Sequence, residues 1–328
     1  MRITVTGSIA TDHLMVFPGR FADQLITERP ARLSLSFAAD SLEIRRGGSA
    51  ANIAVALGRL GLGPVLAGAV GADFAGYRAW LHDNGVDTEL VRVSESLHTA
   101  RFVCTTDADQ NQIAAFYSGA MAEAREITLA STARRVGGID LVVIAPNDPE
   151  AMRRHTDECR RLGLGFAADP SQQLARLDGK ETRRLVDGAR FLFTNEYEAA
   201  LLLQRSGWSR GDVLARVGTW ITTRGADGAT VARTDGPTLR IPAVPTERPA
   251  DPTGVGDAFR AGFLAGVGWR WPYERAAQFG CAMATTVLES VGPQEYTLSL
   301  AVLVRGIKEA YGPTAASEIE ERLACVRA

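Results

Sequence analysis

The chain has 328 residues, 46% hydrophobic and 23% charged, enough to bury one large core or one core with a small appendage. A net charge of −2 provides no basic footprint for nucleic acid or an anionic membrane, and no apolar run reaches the roughly 18 residues of a membrane span. Four cysteines, Cys104, Cys159, Cys281 and Cys325, form no Cys-x-x-Cys or Cys/His cluster, which points to buried free thiols in a cytoplasmic protein.

Residues 2–6 are a β-branched run ending at Gly7, suited to a buried central strand rather than a signal peptide. The next segment, from Thr11 to Ile44, is irregular and broken by Pro18, Gly19 and Pro30. Alternation returns at Leu33-Ser34-Leu35-Ser36-Phe37, so an excursion from the main sheet is expected. Gly47-Gly48 leads into a small-residue helix over 50–60, followed by a strand at 64–69 and a helix at 74–82. A second excursion follows, with strands at 99–105 and 113–117 joined by the polar Thr106-Asp107-Ala108-Asp109-Gln110-Asn111, a hairpin signal. From residue 141 strands at 141–145, 164–168 and 191–194 alternate with helices at 149–161, 179–187 and 196–204. Such alternation predicts a parallel sheet covered on both faces. Short strands at 220–223, 229–233 and 239–241 precede a mostly helical end. The chain reads as a single α/β domain, with the excursions at about 11–46 and 97–119 combining into one small sheet.

Asp251-Pro252-Thr253-Gly254-Val255-Gly256-Asp257 opens an apolar helix, where free N–H groups and the positive end of the dipole prepare an anion site. Asp257 reads either as a helix-start acid or as a base for an alcohol that attacks a phosphoryl group held by those amides. Ligands of open parallel sheets sit beyond the carboxyl ends of the strands, and other polar clusters fall at such places. They are Gly7-Ser8-Ile9-Ala10-Thr11-Asp12, Arg46-Gly47-Gly48-Ser49-Ala50-Ala51-Asn52 and Asp169-Pro170-Ser171-Gln172-Gln173. Asn195-Glu196-Tyr197-Glu198 also reads as an N-cap with its capping-box partner, and Thr222-Thr223-Arg224-Gly225-Ala226-Asp227-Gly228 as an ordinary glycine turn. Neither lysine, Lys180 or Lys308, lies in a P-loop, so phosphates must be held by amides, arginine or metal. The first strand also lacks a Gly-x-Gly-x-x-Gly fingerprint, which disfavours a nicotinamide dehydrogenase.

Asp251-x-Thr253-Gly254-x-Gly256-Asp257-x-Phe259-x-x-Gly262-Phe263, together with Gly47-Gly48 and Asn52, resembles the signatures of the ribokinase-like (PfkB) carbohydrate kinase family. The resemblance implies a ribokinase-like α/β fold, with a mostly parallel sheet flanked by helices and a small β-sheet lid. It also implies ATP as co-substrate and Mg²⁺ as cofactor. Asp257 would be the catalytic base, with Gly254, Val255 and Gly256 completing an anion hole. Asn195 and Glu198 would position Mg²⁺ through water, and Asn195, Thr223, Arg224, Gly225, Ala226, Asp227, Gly228 and Gly256 would bind ATP. Asp251 and Thr253 match positions where many relatives bind a potassium-type cation.

Residues 7–15, 33–37, Asp169 to Leu177 and Asp251 to Leu264 resemble more closely the bacterial adenosine kinases within that family. This implies adenosine as acceptor, with Ser8, Asp12, Gly48 and Asn52 on the ribose and Phe102, Phe116, Gln172 and Gln173 on the adenine. Ser36 would reach the nucleoside of the other subunit in a homodimer formed by the lids, whose exposed edges need cover. Ser49 and Ala51 depart from the closer pattern without changing residue size. A ribose or fructose kinase of the same family and a nucleoside-binding protein without turnover remain alternatives.

Overall fold

The computed structural model describes residues 1–24 and 36–327. Eight strands form the main sheet, in the spatial order Leu239–Ile241, Ala229–Ala232, Thr219–Thr223, Phe191–Asn195, Phe166–Ala168, Leu141–Ile144, Ile3–Thr6 and Val65–Ala67. From Thr219–Thr223 onward all pairings are parallel, while the two short strands at the other edge fold back antiparallel. Leu141–Ile144 is buried at every position, as a strand covered on both faces requires. Its residues divide by alternation: Leu141 and Val143 pack into one core, Val142 and Ile144 into the other. The first core lies under the helices Ser49–Arg59, Val255–Gly268 and Tyr273–Leu288; the second lies under Pro149–Leu162, Gly179–Val186 and Glu196–Ser206. The expected α/β architecture is therefore the observed one.

A second sheet of four strands runs in the order Ser41–Gly47, Ala10–Val16, Ala100–Thr106 and Gln112–Tyr117. The expected hairpin is present, and its turn is organised by the buried Asp107, whose carboxylate accepts from the amides of Phe21, Asp109 and Asn111. Ala10–Val16 and Ser41–Gly47 have no counterpart in the sequence reading. Both strands are largely exposed or half-buried: Ala10–Val16 shows no apolar alternation, and in Ser41–Gly47 only Leu42 and Ile44 alternate, on an exposed face. The alternation at 33–37 falls mostly outside the described residues, and Ser36 and Phe37 are not in a strand. Cys104, Cys159 and Cys281 are buried and free, as expected, whereas the side chain of Cys325 lies outside the described residues. No helix among the described residues is long and apolar enough to cross a membrane.

Candidate active site

Gly254 stands at the cap of the Val255–Gly268 helix with φ of 76°, a left-handed conformation that glycine adopts without strain. A side chain there would also collide, since a Cβ would lie 2.4 Å from that of Pro293. The amides of Gly256 and Asp257 have no hydrogen-bond partner among the described residues, and that of Val255 makes only a long 3.4 Å bond to Pro252. Unpaired donors thus gather at the positive end of a buried helix, the chemistry that binding an anion requires.

The half-buried Asp257 accepts a 2.9 Å hydrogen bond from Asn52 Nδ2, and that amide is itself held. Gln294 donates to Asn52 Oδ1 at 2.8 Å and to the hydroxyl of Tyr77 at 2.6 Å, while Tyr77 donates to the Gly47 carbonyl at 2.8 Å. Surrounding protein raises the Asp257 carboxyl above the usual carboxylate range; Arg260 and the Asn52 bond pull it back, and Glu198 adds to the rise. Gln294, which completes this chain of bonds, belongs to no local motif and is absent from the sequence reading.

Asp257 and Gly254 open on a cavity of about 290 Å³, near the lower end of the roughly 300–1,000 Å³ typical of small-molecule sites. Ser8, Asp12, Gly48 and Asn52 line one side of it. Gly48 has φ of 94°, and a Cβ there would meet the Ser8 carbonyl oxygen at 2.5 Å, so the Ser49–Arg59 helix must start without a side-chain cap of its own. Ser8 supplies one from outside, its Oγ accepting from Ser49 N at 3.0 Å. Asp12 is pushed up by burial, opposed by Arg45.

Phe116, Gln172 and Gln173 line the other side. Arg45, Asp12, Phe102 and Phe116 stand in one register across the four strands of the small sheet, hence on one face of it. Phe116 reaches the cavity and is 54% exposed; Phe102 stands beside it without lining the wall, and Ser36 is exposed away from it. Asn147, unread in the sequence, is also part of the wall. Asn147 Nδ2 and Gln173 Oε1 are buried without a partner. The other ends of both side chains are tied: Gln173 Nε2 donates to the Asn147 carbonyl and Asn147 Oδ1 accepts from Asp148 N, each at 2.9 Å. One donor and one acceptor without partners thus lie within residues of the cavity wall, buried beneath its surface.

Apart from Thr253, which touches the cavity, the remaining expected residues lie outside it. Asn195 and Glu198 form the reciprocal capping box at 2.7 Å in both directions, and Glu198 also accepts from Ser171 at 3.1 Å. Each of these oxygens keeps a lone pair, and no cluster of three or more metal-ligating side chains occurs among the described residues. That donor set fits an ion that retains its waters, as Mg²⁺ does, rather than one caged by protein. In the Thr223–Gly228 turn, Gly225, Ala226 and Asp227 are exposed, while Arg224 donates to Glu196 at 2.9 Å instead of standing free. Asp251 accepts from Thr253 N at 2.8 Å, Gly292 N at 3.0 Å and Arg45 at 3.2 Å. Its carboxylate is therefore already engaged, and Thr253 is exposed.

Solved and curated proteins share this arrangement at the level of fold and sequence. The nucleoside kinase of Burkholderia thailandensis, solved in complex with inosine, superposes with a TM-score of 0.81 at 36% identity over 95% of this chain and 98% of that one. The nucleoside kinases of Methanocaldococcus jannaschii and Methanothermobacter thermautotrophicus are 30% and 34% identical over 253 residues, covering 76% of this chain and 80% of each. Residues 8–299 match the pfkB family carbohydrate kinases, and the chain belongs to that family.

Proposed function

We propose that the protein is a nucleoside kinase that transfers the γ-phosphoryl group of ATP to the ribose 5′-hydroxyl of adenosine. One observation carries the reading: Asp257 shares a cavity with an unpaired amide turn and with Asn147 and Gln173, wall residues that each keep a buried hydrogen-bonding atom without a partner. A sugar alone would leave that donor and acceptor unmatched, at a cost of about 1–3 kcal/mol each. The edge of a purine has one of each to offer.

In this reading an ionised Asp12 accepts from two ribose hydroxyls, and Asn52 aims Asp257 at the third. Asp257 takes the 5′-hydroxyl proton as the oxygen attacks, and the Gly256 and Asp257 amides stabilise the charge on the moving phosphoryl group. Because the transition state is loose, placement and charge stabilisation contribute more than proton removal. Mg²⁺, when bound, would neutralise the nucleotide phosphates, with Asn195 and Glu198 holding its waters. The Thr223–Gly228 turn would carry the nucleotide, and Arg224 would leave Glu196 to reach a phosphate.

The small sheet serves as a lid. Stacking Phe116 on the base would cover the exposed ring and contribute roughly 1–3 kcal/mol. The opposite face of that sheet displays Leu42 and Ile44, which are 58% and 59% exposed, and a second copy would cover them in a homodimer.

Asp257→Asn tests the assignment. Adenosine affinity, read by calorimetry, should persist while ADP release falls by roughly 100-fold or more. Wild-type kcat/KM should drop on the acid side at a pH above the ordinary carboxylate value of 3.8, because the base is raised and must be ionised to act. Adenosine, inosine and ribose compared in one ATP-consumption assay separate the nucleoside reading from a sugar kinase. Adenosine bound without any ADP formed by the wild type would instead indicate a binding protein.

A further inference from the structure

One turn after Asp257 the same helix carries Arg260, a charged side chain to which the reaction above assigns no role. Arg260 is 7% exposed, and its guanidinium is closed in behind the start of the helix. A Cβ on Gly256 would lie 2.6 Å from Arg260 Nη1. The glycine therefore leaves room for this cation. Arg260 Nη2 donates to Asp169 Oδ1 at 2.7 Å, and Asp169, just beyond the Phe166–Ala168 strand, is 1% exposed.

A buried ion pair recovers its desolvation cost only when fully partnered. This pair is not. Arg260 Nε and Asp169 Oδ2 have no hydrogen-bond partner among the described residues. An apolar pair would fill the space at less cost, so the charge is better explained by what it faces. Around it stand Asp169, Asp257 and Glu198 of the Glu196–Ser206 helix.

We propose that Arg260, anchored by Asp169, is a positioning residue whose buried charge keeps Asp257 ionised and adds positive potential behind the amide turn that receives the phosphoryl group. This rests on Asp257 being the base. The groups facing Asp257 are Arg260 on its own helix, Asn52 from the Ser49–Arg59 helix, Glu198, and Asp169 behind Arg260. Across the cavity stand Asp12, with Arg45 and Asp251 beside it. Burial raises Asp257, and Arg260 is the chief group opposing that rise.

The test replaces the pair together, Asp169→Asn with Arg260→Gln, which avoids the lone buried charge that either single change leaves. Adenosine kcat/KM is followed across pH with ATP present, and adenosine affinity is measured without ATP. The acid limb of kcat/KM should move up by about one pH unit, so that activity at a fixed pH on that limb falls roughly tenfold and recovers at higher pH, with affinity little changed. Arg260→Lys, which keeps the charge, should leave the limb near its wild-type position. If the double variant does not fold, Asp169→Leu with Arg260→Met supplies an apolar pair for the same reading. A limb that stays in place in a folded, adenosine-binding variant overturns the proposal. Full turnover in Asp257→Asn would instead sink the base assignment, whereas its loss with an unmoved limb in the double variant sinks this inference alone.

Discussion

Replacing Gln294 by leucine isolates the contribution of the hydrogen-bond chain that reaches Asp257, the proposed base. Gln294 is fully buried; it donates to Asn52 at 2.8 Å and Tyr77 at 2.6 Å and accepts from Trp80 Nε1 at 3.1 Å. Leucine keeps most of the volume and removes all three bonds. Tyr77 retains the Gly47 carbonyl for its proton, and Trp80 is half-buried, so water can take over part of its partner's role. Asn52 Oδ1 is left without a partner. One orphaned buried acceptor costs about 1–3 kcal/mol, and the partial loss at Trp80 brings the total to about 2–4 kcal/mol. At roughly 2 °C per kcal/mol for a chain of this size, Tm should fall by about 4–8 °C. The catalytic effect is separate. Once released, Asn52 can turn its amide and present oxygen to Asp257, so kcat/KM should fall roughly 10–100-fold. Asn52→Leu alone and combined with Gln294→Leu should then be nearly equal in turnover, because both act through one contact. Thermal denaturation and a coupled ADP assay read the two effects. A Gln294→Leu protein that loses the expected stability but keeps its wild-type kcat/KM would refute the idea that Gln294 sets the orientation of Asn52.

Gly254→Ala should cost about 1–2 kcal/mol for the left-handed backbone, plus whatever is needed to move Pro293, and should lower turnover far more than adenosine affinity; kinetics and calorimetry on one preparation check this. Asp73 is raised by burial, but the amide and hydroxyl of Thr99 together with Arg101 bring it down to about 2, fastening the strand Ala100–Thr106 of the small sheet to the main body. Its contribution is complete above the unfolded value of 3.8 and is lost as pH falls towards about 2. Since Asp73 is partly exposed, the amount is about 1–2 kcal/mol. The stability gap between wild type and Asp73→Asn, followed by urea unfolding, should close over that window. A gap that persists at the acid end would contradict the assignment. Ile44→Glu should shift sedimentation from dimer to monomer at micromolar concentration; a wild-type monomer would remove the basis for the dimer.

Legibility in the sequence followed the range over which each residue acts. The main sheet can be read because its strands are apolar on both faces and alternate with amphipathic helices, which is a local pattern. The hairpin Ala100–Thr106 and Gln112–Tyr117 can be read from its polar turn, whereas Ala10–Val16 has no period-two apolar stripe and Ser41–Gly47 has only Leu42 and Ile44, too short an alternation to mark a strand by itself. Within the site, Gly48, Gly254 and Asp257 sit in short motifs because a backbone approach and a helix start are local requirements. Gln294 meets Asn52 across 242 positions of chain, and Arg260 meets Asp169 across 91; no spacing rule connects such pairs. Asn195 and Glu198 show the converse case. Their local pattern is satisfied completely by capping a helix, so the capping geometry says nothing about a metal. The discriminating signal in the fold is unmet demand: amides at Gly256 and Asp257, a donor on Asn147 and an acceptor on Gln173 are held in place by neighbours yet left without partners. Such groups persist in a native protein at real cost, and a phosphoryl group and a base that arrive together would satisfy both sets at once.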